Sequence, residues 1–217
     1  MKNASEHYDE YYRDVEKSGP FNEEMEGDKS PRRGLALKYF RKFGVRKIID
    51  VGCGPGFDAV FFMKNGFRVY ACDVSKKAIE YAKSKNPGPE YFQWDAEKKP
   101  INIKAEGIYA FEIIEHVFDY DDFLRNLHES LNDGGILVLS TPNVLAPRNR
   151  IKVMLGKDDW FACKYHVHYF SPHMMRVSLE KNGFEVLEVT SKGKISFLRA
   201  NYGGSMTAVA RKAPKSG

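Results

Sequence analysis

The sequence has few cysteines and no long apolar run. Of its 217 residues only Cys53, Cys72 and Cys163 are cysteine, and no two of them form a C-x-x-C pair. This spacing argues against a disulfide framework and against a thiolate zinc site. No apolar run approaches the ~20 residues of a membrane span, and the polar N-terminus lacks the apolar core of a signal peptide. We therefore expect a cytoplasmic protein without a membrane span.

The chain also lacks a block of like charge. Its net charge is +5 at pH 7, and the basic residues are mixed with acidic ones, which permits an anionic partner without requiring one. The 42% apolar and 29% charged residues are typical of a globular protein. Because 217 residues suffice for one sizeable core, we expect one domain.

The most informative stretch is residues 48–58. There an apolar run ends at Gly52, Gly54 and Gly56, and a helix-forming segment follows at once, as it does after a buried parallel strand. Glycine backbones tolerate positive φ and the close approach of a ligand, and the first amides of the next helix are free to bind it. A dinucleotide fingerprint would need its third glycine at Phe57, which weakens the alternative of an NAD-dependent enzyme.

Strands and helices alternate from about residue 45 to residue 143. The patterns predict strands at 46–51, 67–72, 91–93, 107–113 and 136–140, with helices at 57–65, 75–85 and 120–131. Strands that alternate with helices of about ten to fifteen residues indicate an α/β fold with a mostly parallel sheet and helices on both faces. Carboxylates follow these strands in succession, as Asp50, Asp73 and Asp95. Since the carboxyl ends of parallel strands meet at one edge, that edge is the expected ligand site.

These residues resemble a known family of enzymes. The glycine turn and its Asp50 resemble motif I of the class I S-adenosylmethionine (SAM) dependent methyltransferases, and the resemblance covers roughly residues 45–143. It implies SAM as the cofactor, with Asp50 and the glycine turn around the methionine end and Asp95 at the adenine amine. A carboxylate at Asp73 can accept both ribose hydroxyls. The residues predicted to contact SAM are Asp50, Gly52, Gly54, Gly56, Phe57, Asp73, Val74, Asp95, Ala96 and Glu112.

The resemblance also implies a Rossmann-like, doubly wound sheet of seven strands whose last strand is antiparallel. Residues 45–143 are the expected SAM-binding core. Residues 1–44 are expected to form N-terminal helices that pack on the core or cover it as a lid. Residues 144–171 are a predicted helical or loop cap, and residues 172–211 add a helix and a strand hairpin that complete the same domain.

The predicted fourth strand ends in the pattern E-x-x-E-H, formed by Glu112, Glu115 and His116. It resembles ubiquinone-pathway O-methyltransferases and small-RNA 3′-terminal 2′-O-methyltransferases, in which the pattern serves a divalent metal. Carboxylates three residues apart share a helical face with room for a hard cation, and an imidazole adds a nitrogen ligand. His166 is a fourth candidate ligand, and the set suits Mg²⁺, Mn²⁺ or Zn²⁺.

A metal-free interpretation of the same residues stays open. Many metal-free methyltransferases of this superfamily carry Glu-His at this turn, where the histidine lines the cofactor pocket. Without a metal, His116 or His168 is the expected general base that deprotonates an oxygen nucleophile.

The expected function is transfer of a methyl group from SAM to a hydroxyl, or an amine, of a small molecule. One alternative is a metal-dependent RNA 3′-terminal 2′-O-methyltransferase in which Arg148, Arg150 and Lys152 hold phosphates. A second alternative is a non-catalytic SAM-binding protein. The sequence leaves the oligomeric state open.

Overall fold

Between residues 30 and 213, the described part of the chain forms six helices and seven strands. The computed structural model describes residues 8–10, 30–157, 166–191 and 204–213. The helices are α1 (Pro31–Lys42), α2 (Phe57–Lys64), α3 (Lys76–Lys85), α4 (Tyr120–Ser130), α5 (Pro147–Met154) and α6 (Pro172–Lys181). The strands are β1 (Lys47–Val51), β2 (Arg68–Asp73), β3 (Glu90–Gln93), β4 (Ala105–Phe111), β5 (Leu131–Pro142), β6 (Phe184–Thr190) and β7 (Ser205–Lys212). In these ranges no helix combines the length and the apolarity needed to cross a bilayer.

The strands form one sheet in the order β3-β2-β1-β4-β5-β7-β6. Strands β1 to β5 are parallel, and β7 runs antiparallel between β5 and β6. The predicted Rossmann-like, mostly parallel sheet of seven strands with an antiparallel last strand is therefore confirmed. The predicted hairpin of β6 and β7 also forms, with β6 as the edge strand. Because the strand order reverses between β1 and β4, a crevice opens at their carboxyl ends.

Two apolar cores cover the two faces of the sheet, because successive residues of a strand point to opposite sides. Ile108 of β4 and Leu137 of β5 pack in the core that includes residues of α4 and α6. Their neighbours Tyr109 and Val138 pack in the core that includes residues of α1, α2 and α3. The continuous apolar runs of these strands are thus explained by burial on both faces.

Two predicted features differ from the structure. The predicted strand 107–113 ends at Phe111, because Glu112 has a φ of 57° and leaves the extended conformation. The predicted turn at residues 132–135 lies inside β5 as an irregularity, where the pairing shifts from Leu131 opposite Ala105 to Ile136 opposite Gly107. Such a bulge adds residues to one strand without ending the ladder.

The predicted cap of residues 144–171 contains a helix, α5, in its described part. Residues 8–10 are helical, as expected for the N-terminal segment. The other residues on which those predictions depended lie outside the described ranges; they are His7, Tyr11, Tyr12, Arg13, Trp160, Phe161, Cys163 and Tyr165.

The aromatic core around Phe62 should contribute strongly to stability. Phe62 is fully buried, and its ring centroid lies 4.5 Å from that of Tyr109 and 5.9 Å from those of Phe40 and Phe67. We expect Phe62→Ala to lower the free energy of unfolding by about 3–5 kcal/mol, through lost burial and the cavity left behind. Urea unfolding measures this, with Phe43→Ala as the control because Phe43 is 37% exposed. If Phe62→Ala and Phe43→Ala lowered the free energy of unfolding equally, the packing described around Phe62 would be wrong.

Candidate active site

A turn of three glycines joins β1 to α2. Gly52, Gly54 and Gly56 have φ values of 75°, 48° and 86°, a region in which residues with a side chain are strained. A Cβ on Gly52 would lie 2.2 Å from Cδ1 of Ile113, and one on Gly56 would lie 2.5 Å from the hydroxyl of Tyr91. Glycine at these two positions therefore lets the turn pack against Ile113 and Tyr91, at the sheet edge where open α/β folds bind ligands.

Asp73, the last residue of β2, lies beside this turn. Its Oδ2 accepts a hydrogen bond from the Gly54 amide at 3.0 Å, and its Oδ1 accepts one from the Ser75 amide at 2.8 Å. Burial raises the pKa of Asp73 to about 6, although these amide hydrogen bonds oppose the rise. Each carboxylate oxygen keeps a second lone pair. Asp73 can therefore accept hydrogen bonds from a ribose diol without leaving the turn.

Asp50 is buried in β1, opposite Tyr109 of β4. Its Oδ2 makes no hydrogen bond of normal geometry within the described residues, although the Tyr109 hydroxyl is a neighbour. Burial, followed by the charge of Asp58, raises the pKa of Asp50 well above its ordinary value. A buried carboxylate oxygen with only the Tyr109 hydroxyl beside it among the described residues suits contact with a ligand or an ordered water. This oxygen, together with the glycine turn, fits a cofactor bound at the turn.

Asp95 is the third of the strand-end acids. Its Oδ1 accepts a hydrogen bond from the Glu97 amide at 3.1 Å, and its Oδ2 lies 2.8 Å from Nζ of Lys98. The neighbouring Trp94 is buried in a core, and its indole N–H donates to the Lys99 carbonyl at 3.1 Å. Trp94 therefore serves as a core residue, whereas Asp95 stays half-buried at the edge.

The other predicted cofactor contacts lie on the turns between these strands and their helices. Phe57 begins α2 directly after the glycine turn. The carbonyl of Val74 accepts a hydrogen bond from Gln93 at 2.8 Å, and that of Ala96 accepts one from Asn126 at 2.8 Å. These bonds fix the backbone that follows β2 and β3.

Glu112 follows β4 and faces the start of α1. Its Oε1 accepts a hydrogen bond from the Ser140 hydroxyl at 2.8 Å and lies 3.8 Å from Nη1 of Arg32. Burial raises the pKa of Glu112 above its ordinary value. Arg32 also lies 4.0 Å from Asp58, whereas Arg33 is buried and pairs with Asp58. Arg32 is thus a cation that lies between α2, the helix after the glycine turn, and the end of β4.

Glu115, His116 and His166 form a cluster at the turn after β4. One candidate ligand atom from each lies within 4.8 Å of the other two. Oε2 of Glu115 accepts a hydrogen bond from the Thr141 hydroxyl at 2.9 Å, whereas its buried Oε1 has no hydrogen-bond partner among the described residues. The rings of His116 and His166 are 4.8 Å apart. One carboxylate and two imidazoles with an orphaned oxygen fit a divalent transition metal.

Glu112, which the sequence pattern placed among the metal ligands, is not part of this cluster. Burial and then the charge of Glu112 raise the pKa of Glu115, and burial lowers the pKa of His166. The two glutamates are therefore close enough to repel each other, but only Glu115 meets the histidines.

His168 contacts a different part of the site. Its Nε2 lies 3.1 Å from the carbonyl oxygen of Phe118, and its ring meets that of Tyr120 at 5.0 Å between centroids. The amides of Val167 and His168 both donate to the Glu115 carbonyl, at 2.8 Å and 3.2 Å. Residues 166–168 are thus attached to the turn after β4, but only His166 joins the cluster.

Sequence reasoning missed the contribution of β5. Ser140 and Thr141 donate to the two glutamates of the E-x-x-E-H pattern. A signal was present, because both residues stand at the carboxyl end of a predicted parallel strand, where ligand sites of such sheets lie.

Residues 8–10 reach across the site from the N-terminal region. Oδ1 of Asp9 accepts hydrogen bonds from the Ser75 hydroxyl at 2.5 Å and from the Lys77 amide at 3.2 Å. The ring of Tyr8 lies 6.3 Å from that of His116. Since Ser75 neighbours Asp73, this segment adjoins both the predicted ribose site and the cluster. This placement agrees with a lid, which stays a prediction.

A family model described as a methyltransferase domain matches residues 21–189, which is well over half of the chain. The chain belongs to this family of methyltransferase domains. A probable SAM-dependent methyltransferase from Mycolicibacterium smegmatis is 26% identical over 165 residues, which cover 74% of this chain and 62% of the relative. A ubiquinone biosynthesis O-methyltransferase from Rickettsia canadensis is 28% identical over 163 residues, 71% of this chain and 68% of the relative. The chain spans about two fifths to two thirds of the curated relatives it matches.

Solved structures of SAM-dependent methyltransferases share the fold of this methyltransferase domain. One from Mesorhizobium loti has a TM-score of 0.66 at 21% identity, covering 85% of this chain and 99% of that one. The magnesium protoporphyrin IX methyltransferase of Synechocystis PCC 6803, with bound SAH, has a TM-score of 0.67 at 15% identity, covering 96% and 98%. The predictions of a methyltransferase and of SAM as its cofactor are confirmed.

The close packing of Gly52 can be tested against a glycine of the same backbone conformation. Gly52 and Gly134 have φ values of 75° and 76°, but a Cβ on Gly134 would meet nothing within 4 Å. We expect Gly134→Ala to cost about 1–2 kcal/mol of unfolding free energy, from backbone strain alone. Gly52→Ala should cost about 1–3 kcal/mol more, from the overlap with Ile113.

Urea unfolding compares the two glycine variants. Adding Ile113→Ala to Gly52→Ala should recover part of the difference, because it removes the overlapping side chain. Equal costs for Gly52→Ala and Gly134→Ala would show that the turn is not closely packed.

Proposed function

We propose that this methyltransferase domain transfers the methyl group of SAM to a hydroxyl oxygen of a small molecule, with an amine nitrogen as the second acceptor atom. The observation that carries the proposal is the cluster of Glu115, His116 and His166 at the end of β4. Strand β4 is the neighbour of β1, which leads into the glycine turn. Groups that can accept a proton or bind a metal thus adjoin the cofactor edge, where an oxygen nucleophile must lose its proton.

The strand-end acids would hold SAM. Asp73 would accept the ribose hydroxyls, Asp95 would accept from the adenine amine, and Asp50 with the glycine turn would lie around the methionine end. The protein would then contribute by orienting the sulfonium methyl for in-line attack and by excluding water. The buried Oδ2 of Asp50 and the two remaining acceptors of Asp73 support these roles.

In the metal-free interpretation, proton removal from the acceptor is assigned to His116 or His168. His116 lies in the cluster and His168 beside it, and either imidazole can act as a general base near neutral pH. In the metal-dependent interpretation, Glu115, His116 and His166 would hold a divalent cation, and Glu112 lies outside this set. When bound, such a cation lowers the pKa of an acceptor hydroxyl.

An oxygen acceptor is also supported by a relative. The Rickettsia canadensis protein is named a ubiquinone biosynthesis O-methyltransferase, and this chain matches 68% of its length. The acceptor of the present domain is proposed by class only, as a small molecule with a hydroxyl. A cytoplasmic location stays a prediction.

The RNA 2′-O-methyltransferase alternative is favoured less by the structure's surface. Arg150 and Lys152 lie on α5, where the neighbouring exposed side chains are aliphatic. Single-stranded RNA is usually bound by aromatic side chains that stack on bases, and the exposed apolar residues Ile151, Val153 and Met154 are not aromatic. The non-catalytic alternative predicts SAM binding without release of S-adenosylhomocysteine.

SAM affinity should fall as the pH drops below about 6. The ribose hydroxyls donate to the ionised carboxylate of Asp73, whose pKa is about 6. Protonation therefore opposes binding, and the dissociation constant should rise by up to about tenfold per pH unit below this pKa. Calorimetric titration with SAM between pH 8 and pH 5 measures the effect.

Asp73→Asn should weaken SAM binding at pH 8 and remove the pH dependence of SAM affinity near pH 6. Glu90→Gln is the matched control. Glu90 is exposed and lies at the amino end of β3, away from the carboxyl ends of the strands. Thermal unfolding of each variant separates lost binding from lost folding. A pH dependence that persists in Asp73→Asn would remove this residue from the ribose site.

Glu115→Gln and His166→Ala should each lower the affinity for Mn²⁺ or Zn²⁺ by at least about tenfold, because each removes a ligand of the proposed set. Calorimetry on chelator-treated protein gives the affinities. His173→Ala is the control, since His173 lies on α6 and is not in the cluster. If Glu115→Gln bound Mn²⁺ and Zn²⁺ as tightly as the unchanged protein, the proposed metal site would be wrong and the metal-free interpretation would remain.

Release of S-adenosylhomocysteine tests the reaction itself. Phenols, catechols, amines and a single-stranded RNA are offered as acceptors, with and without each metal. Turnover with hydroxyl compounds alone supports the proposal, whereas turnover with RNA alone supports the first alternative. SAM binding without turnover on any acceptor would favour the non-catalytic alternative.

A further inference from the structure

Exposed apolar side chains gather on and around α5. Ile151, Met154 and Leu155 are 56%, 85% and 69% exposed. Their spacing of i, i+3 and i+4 places them in one stripe along the helix, which we call the α5 stripe. Val153 and Leu145 are also exposed, at 49% and 39%. Apolar groups clustered in this way on a protein surface mark an interaction site.

Basic residues flank the α5 stripe. Arg150 precedes Ile151 and Lys152 follows it, so a rotation of about 100° per residue places the two cations on opposite sides of the stripe. The sequence from residue 134 to residue 157 contains no Asp or Glu and four basic residues, namely Arg148, Arg150, Lys152 and Lys157. Asp158 and Asp159 end this stretch. The surface around the α5 stripe therefore suits a negatively charged partner.

The opposite face of α5 is attached to the body of the domain. Asn149 is 2% exposed, and its Nδ2 donates to the Asn143 carbonyl at 3.1 Å. The Asn143 side chain in turn accepts from the Leu145 amide at 3.0 Å. Asn143 directly follows β5, whose Thr141 donates to Glu115. The helix thus has a buried polar side, an exposed apolar stripe and basic flanks, which is the pattern of a helix that lies on a membrane surface.

We propose that α5 docks the domain on an anionic membrane surface, with Ile151, Met154 and Leu155 among the lipid headgroups and Arg150 and Lys152 against their phosphates. The aliphatic centre of the surface favours lipid over RNA, whose bases are bound by stacking. The basic flanks favour lipid over a second copy, because a twofold interface would bring like charges together. Docking does not depend on methyl transfer, so it can fail or succeed independently of the proposed reaction.

Vesicle co-sedimentation of the whole chain tests the proposal. Vesicles of phosphatidylcholine alone are compared with vesicles that also contain phosphatidylglycerol. We expect stronger binding to the anionic vesicles, and weaker binding as salt screens the charges. The double variant Met154→Ser/Leu155→Ser should lower the apparent affinity by about tenfold or more, because it removes two inserted apolar groups.

A matched variant controls for the loss of exposed apolar groups in general. Met174 and Val177 of α6 are 49% and 48% exposed, so Met174→Ser/Val177→Ser removes similar groups elsewhere and should leave vesicle binding unchanged. Arg150→Gln/Lys152→Gln should remove the preference for anionic vesicles while keeping the α5 stripe. Thermal unfolding and SAM titration confirm that each variant folds.

Several results would overturn the proposal. One is equal binding to both kinds of vesicle. Another is an equal loss of vesicle affinity in Met154→Ser/Leu155→Ser and in Met174→Ser/Val177→Ser. Binding of RNA, but not of vesicles, that Arg150→Gln/Lys152→Gln abolishes would assign the surface to nucleic acid. A dimer in light scattering that Met154→Ser/Leu155→Ser dissociates, without vesicle binding, would assign it to a second copy.

Discussion

The hydrogen bonds between the glycine turn and the end of β2 are the constraint on which the rest of the site depends. The amides of Gly52 and Cys53 donate to the Cys72 carbonyl at 2.8 Å and 2.9 Å, and the Gly54 amide donates to Asp73. The turn that makes these bonds has positive φ at Gly52, Gly54 and Gly56, which alternate with other residues. The bonds hold the turn and the Asp73 carboxylate, the proposed ribose contact, together, so the proposed cofactor surface is already formed without a ligand.

The charges around the turn are arranged unequally. The carboxylates of Asp50, Asp58 and Glu112 lie near the glycine turn, where Arg32 is 4.0 Å from Asp58 and 3.8 Å from Glu112 and Arg33 pairs with Asp58. Burial keeps the pKa values of Asp50 and Glu112 high, because isolated negative charges are costly away from water. In the proposed binding mode, SAM would bring a positive sulfonium to this region, whereas its demethylated product would not. The arrangement would then be complementary to the cofactor and less so to the product.

Much of the proposed cofactor site could be predicted, because the acids at the strand ends follow from the local sequence pattern. Asp73 and Asp95 each follow an apolar strand, and the parallel connection alone brings the ends of such strands together. The position of Glu112 could not be predicted in this way. The spacing from Glu112 to Glu115 suits a shared helical face, but the positive φ of Glu112 turns its side chain towards Ser140 and Arg32. The exclusion of Glu112 from the cluster is therefore tied to one backbone angle that no sequence pattern reveals.

The sequence by itself determined the alternation of strands and helices, the glycine turn and the acids at the strand ends, because each of these follows from local periodicity and local backbone preference. Only the tertiary structure decided that His166 meets His116, that Thr141 supports Glu115 and that Asp9 reaches Ser75. These contacts join residues far apart in the chain. They arise where separate segments pack over the same sheet edge, and a linear pattern contains no information on that packing.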